Sequence, residues 1–438
     1  MVKPYAFITI LLAGVAVFIS SCATIRYDEE SPGDQKEIQK LQARLLTSPR
    51  NQAALRDLGA IYFRAKNYRQ ALEYLKKAFA VDSRDSKTIF YYGMSLEVSG
   101  NDSAALGVYI NYSDVSSLSP YRKLIEGRYR QLTQDIIHRQ FQSLLLREQS
   151  LGADRLGSKT LAVFPLQYQG KDEKYDALGK GLSEMIIIDL GQVKSLQLVE
   201  RVRVEALLNE LKLSQSKYVD QSTAPRMGKL LSAGKIVNGS FNVSGNNLLR
   251  LDVASWDVAK MKYPNPVTQS DALENLFKLE KDLVFGIIKE MGIQLSPGER
   301  ERIQLIPTRN ITAFLAYSIG LKEEDRRDFK AASVYYKQAV SLDPTFAPAK
   351  TKADAADALA AAGGDKLNAM MAAELLDGPP SGEKMSSNDL LRLRLGNLGG
   401  NIGSGFQPGE DDRKPAEEAA RAGAPVGRLP APPRPPQR

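Results

Sequence analysis

The chain offers little reactive chemistry and concentrates it at one end. Cys22 is the only cysteine and His138 the only histidine. A nucleophile–histidine system needs a base held by a third group, and His138 lies in a helical pattern with no second member in view. A zinc site needs several Cys or His ligands at short spacing, which these counts exclude. The stretch "GKDEKYDALGKGLS" at 170–183 lacks the Gly-x4-Gly-Lys-Ser/Thr spacing of a phosphate loop; Gly179 and Gly181 ease helix entry or packing instead. The acidic pairs Asp172-Glu173 and Glu323-Glu324 read as solvated faces. The sequence therefore predicts no catalytic residues, no metal site and no enzyme. Cys22 differs from all of these in its setting. It ends the run Ile19-Ser20-Ser21-Cys22, behind the apolar stretch 5–19 and the basic flank Lys3. These are the three regions of a secretory signal, too short for a comfortable permanent span. The alternative is an ordinary buried or free cysteine after a cleaved signal, which leaves the thiol with little use.

The box around Cys22 resembles that of bacterial lipoproteins. The resemblance implies that residues 1–21 are a signal peptide and that Cys22 begins the mature chain. It also implies covalent diacylglycerol on the Cys22 thiol and an N-acyl chain on its amine. Ala23 stands where retention at the inner membrane is often marked by Asp, so the implied location is the outer membrane, facing the periplasm. Several acyl chains anchor stably where one does not. Residues 22–33, with the breaker Ser31-Pro32-Gly33, read as a tether.

With 438 residues, 43% hydrophobic and 25% charged, the chain is an ordinary globular protein of several domains. The net charge of +8 comes from basic residues interleaved with acids. No basic stripe with interleaved aromatics appears, so nucleic acid is not an expected partner. The sequence shows no long apolar run after residue 19, which leaves the lipid as the expected membrane attachment. A single cysteine also rules out an intramolecular disulfide.

From Asp34 the pattern is helical and repetitive. In residues 52–85, Leu58-Gly59, Tyr62, Ala71, Leu75 and Ala78 recur at spacings that resemble a tetratricopeptide repeat. Residues 86–119 repeat them with Tyr92-Gly93, Leu96, Ala105 and Tyr109. A further unit at 313–346 carries Ile319-Gly320, Ala332, Tyr336, Ala339 and Pro344, with Glu323 where an aromatic is expected. Leu41, Leu45 and Pro49 read as the second helix of a partial repeat upstream. Small residues such as Gly59, Ala71 and Ala78 let paired helices approach closely. Residues 121–148 read as a helix capping the first array, with Leu124, Ile125, Tyr129, Leu132, Ile136, Phe141 and Leu145 as its apolar stripe. The first array thus spans 34–150, and repeat-like helices resume at 310–377.

Between them, residues 159–296 change period. Leu161-Ala-Val-Phe-Pro165 and 196–199 read as strands, and 175–190, 204–213 and 224–231 as helices. The runs 235–243 and 248–258 around Gly245-Asn246-Asn247 form a hairpin signal. A helix is expected at 270–291, and Trp256 is expected to pack on the sheet. The fold class is α+β multidomain, with helical repeats flanking an α/β domain. Residues 378–438 are a Gly/Pro-rich tail that cannot bury enough apolar surface to order itself.

The runs "LAVFPL", "LVERVRVEALLNELKLSQS", "GKIVNGSFNVSG" and "LRLDVASWDV" resemble the periplasmic domain of the CsgG family, which includes the curli secretion channel. The stretch from Glu200-Arg201 to Leu213 is the most specific part, and Ala259-Lys260-Met261 departs from the family's usual turn. The resemblance implies a part in a secretion or surface-fibre apparatus and self-association into a homo-oligomeric ring. The alternative it leaves open is a regulatory lipoprotein that activates a cell-wall synthase. A transmembrane strand needs roughly nine to eleven residues. The turn at 245–247 and the loop after Lys262 have no room for such hairpins, so a pore built by this chain alone is not expected.

Tetratricopeptide arrays hold peptides on the face made by the first helix of each repeat. Carried over, that face is Arg56, Phe63 and Arg64 in one repeat and Phe90, Met94 and Glu97 in the next. Arginines beside aromatics and a soft methionine could grip an envelope protein or peptide carrying an acidic group. The same residues could equally pack against neighbouring elements.

Overall fold

A computed structural model describes residues 32–152, 156–212, 223–258 and 266–377. Cys22, expected to be acylated, the residues at 259–261 and the tail after 377 lie outside the described residues. Two compact units emerge, one of residues 32–115 together with Asp377, the other of residues 116–376.

The first unit is a row of helices, α1 (Pro32–Thr47), α2 (Gln52–Arg64), α3 (Tyr68–Val81), α4 (Ser86–Val98) and α5 (Asp102–Tyr109). Each of the last four starts on a side-chain cap. Asn51, Asn67, Asp85 and Asn101 accept from the backbone N–H three residues on. The repeat spacing works through close approach. A Cβ on Gly59 would stand 2.4 Å from Leu75, and one on Gly93 would stand 2.1 Å from Tyr109. Gly320 meets Tyr336 in the same way within the second unit, at 2.6 Å. Three hairpins thus use one device, a glycine on the first helix receiving a large side chain from the second.

The second unit opens with α6 (Tyr121–Leu146). Its sheet strands are β1 (Gly157–Val163), β2 (Gln167–Tyr168), β3 (Gln197–Leu198), β4 (Ala233–Val243), β5 (Leu248–Asp257) and β6 (Val267–Ala272). The order is β3-β1-β4-β5-β6, with β2 also on β4. Pairs among β1, β3 and β4 are parallel, while β5 and β6 add antiparallel. Helices α7 (Leu178–Leu190), α8 (Arg201–Glu210), α9 (Ala224–Leu231) and α10 (Leu276–Glu290) cover both faces. Alternation along β1 explains its unbroken apolar run. Leu161 and Val163 face a core with α7 and α10, whereas Ala162 and Phe164 face α8, α9 and Phe141 of α6.

The first of those cores does not stop at α7. It runs on into α12 (Ile311–Asp325), α13 (Phe329–Leu342) and α14 (Ala347–Ala361) through Phe314, Tyr317, Tyr336 and Phe346. Full burial of each such side chain is worth roughly 1.5–3 kcal/mol. Helices α12–α14 therefore share the sheet's core as a further layer, and α15 (Lys366–Asp377) follows them in the chain.

Several boundaries differ from expectation. Helix α6 belongs to the second unit, where it packs on α8, α9 and α14. Its buried stripe takes Ile137 in place of Ile136, and Arg128 lies within it, bonded to Gln131 at 2.7 Å. Residues 270–272 belong to β6, and the helix starts at Leu276. That strand, Val-Thr-Gln-Ser-Asp-Ala, is polar because exposed positions alternate with half-buried ones. The short α11 (Pro297–Gln304) was not expected; a capping box of Ser296 and Glu299 starts it. Trp256 donates to the Asn238 side chain on the neighbouring strand at 2.6 Å, consistent with its expected place on the sheet.

Candidate functional site

In the first unit, the Gly59 and Gly93 hairpins set α2 beside α4, and charged groups converge where α2 ends and α4 begins. Arg64 closes α2, and Lys87 and Tyr91 sit one turn apart in the first half of α4. All three donate to the carboxylate of Asp377. Its Oδ2 accepts from Arg64 Nη1 at 3.1 Å and from the Tyr91 hydroxyl at 2.7 Å, while its Oδ1 faces Lys87 Nζ at 2.9 Å. The Asp377 side chain is 6% exposed; those of Arg64 and Lys87 are 24% exposed. Burial, reinforced by the Asp377 charge, pushes the Tyr91 phenol far above its usual range, so it stays a neutral donor. Arg56 sits alongside, held by both oxygens of Asp57 at 2.8 and 3.1 Å and by Asp85 at 3.4 Å. Such charge-assisted bonds are the stronger class of hydrogen bond.

This arrangement corrects much of the expected peptide face. Phe63, Phe90 and Met94 are buried in the hairpin interior, with the two phenylalanines edge-on to Tyr91 at 5.4 Å. Glu97 is buried too and accepts from the Tyr109 hydroxyl at 3.0 Å. The reason is geometric: α4 is buried at nearly every position from Thr88 to Glu97, so its first-helix spacing does not single out an open face. Only Arg56 and Arg64 keep part of their side chains accessible. Lys87, Tyr91 and Asp377 escaped the sequence reading. The i, i+4 spacing of Lys87 and Tyr91 was a usable signal; Asp377 carried none, being over 300 residues from Arg64.

The second unit holds a buried charge network where α7 and α8 meet α12 and α14. Arg201 binds Asp325 at 2.5 Å, Glu324 at 3.2 Å and Glu184 at 3.3 Å. Lys180 bridges Glu205 at 2.9 Å and Asp325 at 2.6 Å, and Lys352 reaches Glu324 at 3.1 Å. Glu324, expected on a solvated face, is instead at the centre of this network. Burial alone would raise its pKa, but Lys352, Arg201 and the Tyr336 hydroxyl outweigh burial and hold it at about 2. Gly181 makes the network possible by letting α7 close on α12; a Cβ there would stand 2.0 Å from Ser318 Oγ. His138 lies nearby, its Nδ1 3.3 Å from Glu210. Among the described residues no His/Cys/Asp/Glu group is arranged to hold a metal, and no helix is long and apolar enough to cross a membrane.

Residues 151–247 match the family described as curli production assembly/transport component CsgG. The match covers a minority of the chain, from the approach to β1 through the turn after β4, and includes Lys180, Glu184, Arg201 and Glu205. No curated protein matches the chain. Among solved structures, yeast Tom70 aligns at 13% identity over 85% of this chain and 74% of its own, with a TM-score of 0.22. At that score the superposition bears on neither fold nor function.

Proposed function

We propose that this protein is a non-enzymatic outer-membrane lipoprotein, facing the periplasm, that scaffolds an envelope secretion or surface-fibre apparatus. The helical repeats bind protein partners, and the CsgG-like domain docks them to the assembly. The observation that carries this reading is the core shared by the CsgG-matching sheet and the repeat-like helices α12–α14. A partner held on α12–α14 would keep one orientation relative to the sheet. Two connections bear on how the chain meets the membrane. Between β4 and β5 only residues 244–247 intervene, and between β5 and β6 only 258–266. Neither can hold a pair of transmembrane strands, each of roughly nine to eleven residues. The attachment is then the lipid on Cys22, outside the described residues.

Acyl labelling in a producing cell tests the anchor. The wild-type chain takes label and sediments with membranes, whereas Cys22→Ala takes none and is released. A Cys22→Ala chain that still carried lipid would contradict the proposal. Native mass spectrometry of the detergent-extracted protein tests the assembly. A defined homo-oligomer or heteromeric complex supports it, and a bare monomer at every concentration counts against the ring that the family implies.

A further inference from the structure

We infer that Arg64, Lys87 and Tyr91 form a carboxylate seat for an acidic segment of a protein partner, and that Asp377 occupies this seat as an internal competitor. The inference deepens the scaffold reading and rests on it, since it names what the repeat unit recognises. The seat supplies three donors of different kinds to one group: a guanidinium, an ammonium and a neutral phenol. With Asp377 withdrawn, two half-buried cations and the Tyr91 hydroxyl would lose this carboxylate. Lys87's other carboxylate neighbour, Asp57, stands 3.7 Å away and already accepts two bonds from Arg56. Leaving such groups unsatisfied is costly, so an emptied seat favours a new anion.

The surroundings decide which anion. Arg56 and Lys87 face Asp57 and Asp85, whereas Arg64 pairs with Asp377, which leaves one positive charge over when Asp377 is out. A single carboxylate neutralises that excess. A phosphate, at nearly two charges, would place an unmatched negative charge beside Asp57 and Asp85. The hydroxyl of Tyr91, kept protonated, donates to a carboxylate as readily as it does to Asp377. Asp377 belongs to the same chain as Arg64, Lys87 and Tyr91, so it competes as a tethered ligand with a finite effective concentration. A partner displaces it by presenting an acidic side chain together with further contacts of its own.

The probe is a fluorescent peptide of residues 366–377 with its C-terminus amidated, which leaves side chains as its only carboxylates. It is titrated into the full-length chain and into full-length Asp377→Asn, whose seat has lost its internal carboxylate. The expected result is at least tenfold tighter binding to Asp377→Asn than to wild type, with loss of binding when the peptide carries Asn at its last position. Adding Lys87→Gln to Asp377→Asn should remove that gain, and an unchanged thermal transition shows that the fold persists. Equal affinity for wild type and Asp377→Asn would overturn the proposal, as would equal binding of the Asp and Asn peptides. If the peptide result fails while full-length protein still cross-links to envelope partners, the seat falls and the scaffold reading stands.

Discussion

The carbonyl oxygen of Ala358 on α14 lies 2.1 Å from where a Cβ on Gly127 of α6 would sit. The two helices touch backbone to backbone, and the neighbour that an added methyl meets is a main-chain atom with no rotamer to escape into. That approach joins the helix before the sheet to the last helices of the second unit.

Gly127→Ala should therefore destabilise the second unit. Overpacking costs ~1–3 kcal/mol, and the gain of ~1 kcal/mol from replacing a helical glycine offsets only part of it. We expect a net loss of up to about 2 kcal/mol by chemical denaturation. Gly107 on α5 has nothing within 4 Å of its absent Cβ. Gly107→Ala should be neutral or stabilise the first unit by up to ~1 kcal/mol. Equal effects from the two substitutions would argue against the helix contact.

Arg201 is the hub of the network between the sheet's helices and α12. Replacing it with methionine leaves Glu184, Glu324 and Asp325 facing one another with Lys180 and Lys352 as the remaining cations. Removing one partner from a buried network typically costs about 3–5 kcal/mol. Denaturation of Arg201→Met should show a loss of that order and earlier proteolysis at α12–α14. An unchanged midpoint would mean that the network contributes no net stability.

Two buried glutamates should respond to pH in opposite senses. Glu324 is held at about 2, below its ordinary 4.5, so its stabilisation is complete above about pH 4.5 and is lost as pH falls toward 2. Burial raises Glu280 well above 4.5, and the charge of Asp189 adds to this while Lys281 opposes it. Lys281 itself binds Asp189 at 2.5 Å. The stability tied to the protonated Glu280 is present below pH 4.5 and lost as pH rises through its raised value. Glu324→Gln should thus lower stability near neutrality by up to about 3 kcal/mol and flatten the acid limb. Glu280→Gln should be neutral or stabilising at the same pH, because an amide can donate to Asp189 as the protonated acid would. Denaturation midpoints between pH 2 and 8 check both.

The fold was legible wherever one period ruled. The Gly59, Gly93 and Gly320 spacings marked three hairpins, and Leu161 to Phe164 announced a strand, which the fold covers on both faces. Reading failed where an element answers to something distant. Strand β6 is polar because it lies at the end of the sheet order, and α11 is set by its cap more than by an apolar stripe. Glu324 looked like surface acid because its partners Arg201 and Lys352 are remote in sequence. The peptide face was misread for a related reason. Helix α4 is buried around most of its girth, so spacing could name Phe90 and Met94 as first-helix residues without telling inside from outside.

Cross-linking of the full-length protein in intact cells, with an amine-reactive reagent and mass spectrometry of the outer-membrane fraction, tests the scaffold most directly. The account predicts recovery in that fraction, with exposed lysines of the repeat unit such as Lys76 and Lys77 joined to proteins of an envelope secretion or fibre assembly. Recovery outside the outer membrane, or repeat-unit lysines joined only to the protein itself, would contradict it.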